Sequence, residues 1–227
     1  MSQAVNSKTS HAPSRRKGEQ TAERILDAAE ALFAERGFAG TTLRDVATAV
    51  GVRIPSLYNH FSGKEPLYAA VLERGIRPVF ETLMQSVASG DEPADQQRLI
   101  EDVMELLTAR PALARLVQHE TLAGGEHLTP MLREWILPIF AQARELIEAQ
   151  GSGGRWRPEQ VPNLVLAMYQ VIVGYFTVAP LYRAVGGEDL LSKRALAEQT
   201  RFLVELVSVL FPAGSHPDPT NSKGERR

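Results

Sequence analysis

Apolar residues recur at three- and four-residue steps along most of the chain, the spacing that gives an α-helix one buried face. Ala22, Ile25, Leu26, Ala29, Leu32 and Phe33 form the first such stripe, and Gly37 follows where a left-handed stop is needed. Thr42 opens a short helix with Leu43, Val46, Ala47 and Val50 inward. Its hydroxyl is placed to cap, and Asp45 stands at the positive end of the helix dipole. After Gly51 a third short helix is predicted over Ile54–Phe61, with Leu57 and Phe61 inward. Ser62 and Glu65 read as a capping box for a fourth helix, with Pro66 in its first turn and Leu67 and Val71 inward. That helix heads toward Val87, with a kink or an early end expected at Pro78.

Five more helices are predicted: Gln96–Thr108, Pro111–Thr121, Thr129–Gln150 with Pro138 inside, Pro158–Tyr182 and Ser192–Phe211. The last turns Ala195, Gln199, Phe202, Leu203, Leu206 and Leu210 inward. Gly124-Gly125, residues 151–155 (GSGGR) and Gly186-Gly187 separate these segments. No stretch sustains period-two alternation and nothing repeats, so the expected fold is all-α with about nine helices.

From Leu164 to Tyr182 the chain carries no charge for nineteen residues, a length that would cross a bilayer. Gln170, Gly174, Thr177 and Pro180 dilute that run, and it lies between amphipathic segments. A helix buried on both faces, touching a second subunit, fits it better than a membrane span. The last helix adds Val204, Val207 and Val209 to its stripe, so two neighbouring helices are expected to build a four-helix contact about a two-fold axis.

Composition narrows the chemistry. The 227 residues include no cysteine, which excludes disulfides, zinc ribbons, iron–sulfur clusters and thiol nucleophiles. There is no nucleophile elbow, dinucleotide fingerprint, phosphate-binding loop or HExxH motif, so neither enzyme chemistry nor a cofactor is expected. His119 and His127 flank Glu120 and Glu126, but the five histidines form no i, i+4 metal pair, and no metal is expected. The N-terminus has no apolar secretory core, so a cytoplasmic location is expected. The formal charge of −2 divides into +2 over residues 1–70 and −5 over residues 71–211. Residues 1–18, with Lys8, Arg15, Arg16 and Lys17 and no acid, are expected to be a disordered basic arm, and residues 212–227 a disordered tail. A polyanion would meet the front of such a chain.

Helix, glycine turn and helix over residues 42–61 have the spacing of a helix-turn-helix, which leaves Arg53, Ser56, Asn59 and His60 facing outward. The run from Ile25 to Arg74 resembles the N-terminal domain of the TetR/AcrR family of transcriptional regulators. The resemblance rests on Ala28-Ala29, Leu32-Phe33, Gly37, Thr41-Thr42, Val46-Ala47, Gly51-Val52, Leu57-Tyr58, His60-Phe61, Lys64-Glu65 and Leu67. It implies a DNA-binding domain over residues 19–66 and a larger helical ligand-binding and dimerisation domain over 67–211. It further implies a homodimer on a palindromic operator of double-stranded DNA, most simply a repressor released by a small, largely apolar effector.

Carried over by position, Thr42, Tyr58, His60 and Lys64 would contact phosphates, while Arg53, Ile54, Pro55, Ser56 and Asn59 would read bases. Arg53 and Pro55 depart from the Ser and Gly that the family often places there. The implied effector pocket would draw on Met84, Met104, Met131, Trp135, Phe140, Met168, Tyr169, Tyr175 and Phe176, with His119, Glu120, Gln142 or Gln170 orienting the ligand. The fourth helix is expected to be the only covalent route between the domains, with Pro66, Gly75 and Pro78 as places to bend. Two other classes stay open: a helix-turn-helix used for protein contacts, and a helical ligand-binding enzyme.

Overall fold

The computed structural model describes residues 12–89, 93–149 and 156–210. Among them lie nine α-helices and no strand: α1 (Ala12–Arg36), α2 (Leu43–Val50), α3 (Ile54–Tyr58), α4 (Lys64–Ser89), α5 (Pro93–Ala109), α6 (Pro111–Leu122), α7 (Leu128–Ala149), α8 (Val161–Ala184) and α9 (Lys193–Leu210). A single 3-10 turn, Pro158–Gln160, leads into α8. The helices group into two compact units, Met1–Ile76 with Ala112–Pro130, and Arg77–Pro111 with Met131–Arg227. The first unit is thus discontinuous, where the sequence predicts one cut after residue 66. The chain passes between the units three times, so α4 is not the only covalent route.

In the first unit, α1 ends at Gly37, whose N–H donates to the Phe33 carbonyl at 2.9 Å. Thr41 is fully buried, its Oγ1 lying 3.2 Å from the Leu32 carbonyl and 3.0 Å from that of Gly37. Thr42 caps α2 as expected, and the cap is reciprocal: the Asp45 N–H donates to Thr42 Oγ1 at 3.2 Å, and the Thr42 N–H donates to Asp45 Oδ2 at 2.9 Å. The Thr42 hydroxyl also donates to Asp45 Oδ2, at 2.6 Å. These bonds hold the Asp45 carboxyl below its ordinary value. At the other end Gly51 takes φ 73°, and its N–H and that of Val52 return to Thr48 and Ala47. Arg24 of α1 donates to the Val50 carbonyl at 2.6 Å, placing a cation at the negative end of α2. Five residues do not hold a helix by themselves. α3 is anchored by Leu57, fully buried, worth about 2 kcal/mol of burial.

Three boundaries differ from those predicted. α1 begins at Ala12, so residues 12–18 are helical rather than a disordered arm. Pro13 is tolerated in a first turn, and Arg, Lys, Glu and Gln are good helix formers. Residues 1–11 and the tail 212–227 lie outside the described residues. α3 ends at Tyr58, three residues before Phe61, and Phe61 is half-buried. Gly63, whose carbonyl accepts the Leu67 N–H at 3.3 Å, occupies the position before α4 that the capping pattern assigned to Ser62.

α4 runs unbroken past Pro78, and the Thr82 hydroxyl donates to the Pro78 carbonyl at 3.0 Å. Arg74 ties α4 to α1 by reaching three acids spaced along that helix: Glu23 at 3.1 Å, Asp27 at 2.8 Å and Glu30 at 2.8 Å. α6 approaches α4 at Gly75, where a side chain would overlap the Leu113 methyl groups. Two turns back along α4 and two turns on along α6, Tyr68 bonds to Glu120, so the two helices run antiparallel.

In the second unit α5 and α9 pack together, with Ile100, Val103, Met104 and Leu107 buried on one helix and Ala195, Leu203 and Val207 on the other. The Trp156 indole donates to the Leu210 carbonyl, tying the approach to α8 to the end of α9. Phe202, predicted to point inward, is 54% exposed, because its turn of α9 faces away from the α5 contact made by Leu203. α7 and α8 continue through Pro138 and Pro180.

Two outcomes are expected. Arg74→Met removes the cation from three acids, one of them buried, and should destabilise by about 2 kcal/mol, between the values for exposed and buried pairs. A thermal melt would read that as a fall of roughly 4–8 °C. The Asp45 cap contributes stability above the ordinary carboxyl value of 3.8 and loses it as pH falls through the lowered folded value. Amide exchange in α2 should therefore accelerate in acid, and Asp45→Asn should make it independent of pH over that range.

Candidate nucleic-acid interface

All nine residues assigned to DNA contact fall within the first unit. Arg53, Pro55, Tyr58 and Asn59 are exposed on α3 and its flanks, as is Thr42 before α2, while Ile54, Ser56, His60 and Lys64 are half-buried. Leu57, between them in sequence, turns fully inward. α3 therefore has one anchored face and one free face, the division a reading helix requires. Tyr58 is 52% exposed, which removes it from the small core. Arg53 stands at the N-cap of α3 and makes no side-chain capping bond; Pro55 in the first turn presets the helix start instead. At Thr42 the hydroxyl proton is already given to Asp45.

Lys64 is positioned by an aromatic cluster that helical periodicity does not reveal. Its Nζ lies 4.2 Å from the centroid of the Phe38 ring, a contact that leaves its charge uncancelled. Phe38 meets the rings of Tyr68 and His127, each at 4.8 Å, and Tyr68 meets Phe33 edge-on at 4.8 Å and His127 at 4.9 Å. Glu120, 2% exposed, closes the cluster. Its Oε2 accepts the Tyr68 hydroxyl at 3.0 Å, and its Oε1 accepts the His127 N–H at 2.6 Å and the Leu128 N–H at 3.4 Å. His127 Nδ1 is 3.2 Å from the same oxygen. Burial foremost, then the Glu120 charge, pushes the Tyr68 phenol well above its ordinary value. One sequence signal points here: Glu120 continues the stripe of Leu113 and Leu116, and an acid on a buried face must find donors.

A second feature lies in the other unit. Phe80 and Trp135, with ring centroids 5.5 Å apart, wall a cavity of about 340 Å³ between α4 and α7, with Arg77, Glu81, Met84, Gln85, Glu134 and Pro138. The Arg77 guanidinium lies 5.3 Å from the Trp135 ring centroid. Of the residues assigned to effector binding, this cavity holds Met84 and Trp135. Met104 and Phe176 are buried in the packing of this unit; Met131, Phe140, Met168 and Tyr169 are half-buried; and the Tyr175 hydroxyl donates to the Leu190 carbonyl at 2.8 Å. His119 is exposed on α6, in the first unit. Gln142, on α7 one turn beyond Pro138, has a buried Oε1 without a hydrogen-bond partner. Among the described residues no three His, Asp or Glu side chains gather to hold a metal ion.

The family model of tetR-type bacterial regulatory proteins matches residues 25–71, and a tetracyclin repressor-like C-terminal domain matches residues 94–207. The HTH-type transcriptional repressor KstR2 of Rhodococcus jostii (strain RHA1) is 35% identical over 142 residues, 60% of this chain and 67% of the relative. The HTH-type transcriptional regulator RutR of Escherichia coli (strain K12) is 29% identical over 167 residues, 73% of this chain and 78% of the relative. A TetR family transcription regulator from Marinobacter aquaeolei VT8 shares the fold with a TM-score of 0.61 at 19% identity, covering 84% of this chain and 97% of that one. With its anchored α2–α3 pair and both domains matched, the chain belongs to the TetR family of helix-turn-helix, DNA-binding transcriptional regulators.

Proposed function

We propose that the protein is a homodimeric, ligand-responsive repressor that binds a palindromic operator in the cytoplasm. The observation that carries this reading is the division of α3, with Leu57 locked into the core and Arg53, Pro55, Tyr58 and Asn59 left free. In this reading Arg53 forks to a guanine, Asn59 pairs with an adenine, and Ile54, Pro55 and Ser56 lie along the groove. Tyr58, His60 and Lys64 bind phosphates and set the register. Thr42 contributes to phosphate binding by exchanging its bond to Asp45. The relative from Rhodococcus jostii is named a transcriptional repressor, which favours repression.

Dimerisation draws support from α8 and α9. The most apolar window of α8 is only 17% buried within the chain, and Leu166, Leu181, Val185, Phe202 and Val209 stand exposed on the two helices. Apolar surface of this extent needs a second subunit over it. The effector site is assigned to the cavity between α4 and α7, whose aromatic walls suit a largely apolar molecule. Gln142, with its unbonded acceptor, supplies a place for a ligand hydroxyl or amine. To release DNA the effector must favour the non-binding state; shifting the balance from 1:99 to 99:1 takes about 5.5 kcal/mol.

Selection of the purified protein against random duplex DNA should enrich a palindrome, and failure to enrich any sequence at low salt would overturn the reading. On the enriched duplex, Asn59→Ala should lose roughly 5- to 150-fold on the preferred sequence alone. Lys64→Ala should weaken all sequences alike and lower the salt slope by about one unit. Phe202→Glu combined with Leu181→Glu should give a monomer in analytical ultracentrifugation; a dimer that persists would place the subunit contact elsewhere.

A further inference from the structure

Lys64 does not set its own position. It reaches no acid; its ammonium rests on the Phe38 ring, and that ring rests on Tyr68, one turn further along α4. The Tyr68 ring is fully buried, and the one polar atom it carries is held by Glu120 of α6. The same carboxylate holds the first amides of α7 through His127 and Leu128. One side chain therefore joins the end of α6, the start of α7 and the start of α4, with the aromatic cluster carrying the connection to the end of α1.

We propose that Glu120 is a positioning residue for DNA binding: its carboxylate latches the α6–α7 turn to Tyr68 and so holds Lys64 where it meets a phosphate. The proposal rests on the assignment of Lys64 as a phosphate ligand. Glu120 itself touches no DNA. Drawing the α6–α7 turn away strands the Tyr68 hydroxyl in a site closed to water, and a buried donor without an acceptor is strongly disfavoured. Tyr68 must then shift to find another partner, and the ring stack beneath Lys64 shifts with it. A displacement at the start of α7 reaches the DNA-binding face through five named groups, all inside one compact unit.

The test is a double-mutant cycle on the enriched duplex, using Tyr68→Phe and Glu120→Gln, each alone and combined with Lys64→Ala. Tyr68→Phe deletes a single oxygen and leaves the aromatic cluster intact, so it carries the test should the Gln variant fold poorly. Loss of one phosphate contact corresponds to about eightfold weaker binding at 0.1 M salt, the expected effect of Lys64→Ala. Tyr68→Phe and Glu120→Gln should each weaken binding at least threefold and reduce the salt slope toward that of Lys64→Ala. In the Lys64→Ala background neither should weaken it further. Wild-type affinity and slope in both variants would overturn the latch while leaving DNA recognition in place, and so would losses that multiply with that of Lys64→Ala. An unchanged slope in Lys64→Ala alone would instead remove the phosphate assignment, and the latch with it. Absence of duplex binding by the unaltered protein would overturn the proposed function itself.

Discussion

The close approach of α6 to α4 at Gly75 governs the architecture of the first unit. Residue 75 has no side chain, and Leu113 fills the space one would need. With that contact made and the helices antiparallel, the register is set: two turns away Glu120 must face Tyr68. The α6–α7 turn is then drawn to the end of α1, so a segment far along the chain becomes part of the unit that contains the helix-turn-helix. Arg74, next to Gly75, fastens the same stretch of α4 to Glu23, Asp27 and Glu30 on the other side. α4 is thus held from two directions before it leaves the unit.

The two units use different forces to present their surfaces. In the first, the exposed residues of α3 are polar or small, and what holds them in place is polar too: a reciprocal cap at Thr42 and Asp45, and an arginine on the last carbonyl of α2. Such bonds are directional, and direction is what a helix that reads base edges requires. In the second, α8 and α9 leave bulky apolar side chains uncovered. That interaction has little direction but scales with area, which suits a permanent contact between subunits.

Several features were legible without coordinates. The 3.6-residue period placed nine helices, because each buries a stripe and the stripe is written in the residue order. Thr42, Asp45 and Gly51 announced the start and stop of α2, since capping is a local bond among neighbours. Leu57 was assigned inward and is fully buried. The start of α1 was misplaced because the basic, serine-containing stretch before Glu19 looks unstructured by composition, yet its residues are adequate helix formers. Phe202 was misassigned because a helix with apolar residues on more than one face does not say which face its own chain covers.

By itself the sequence determined the helical class, the helix-turn-helix and the family, since these depend on residue types at short separations along one strand of chain. Only the tertiary structure decided that Glu120 belongs to Tyr68, that Arg74 gathers three acids, and that Trp135 and Phe80 share a cavity wall. Tyr68 and Glu120 are 52 residues apart, and no periodicity links positions on different helices. Their pairing follows from how two helices slide past each other, and that is settled by steric fit at a glycine.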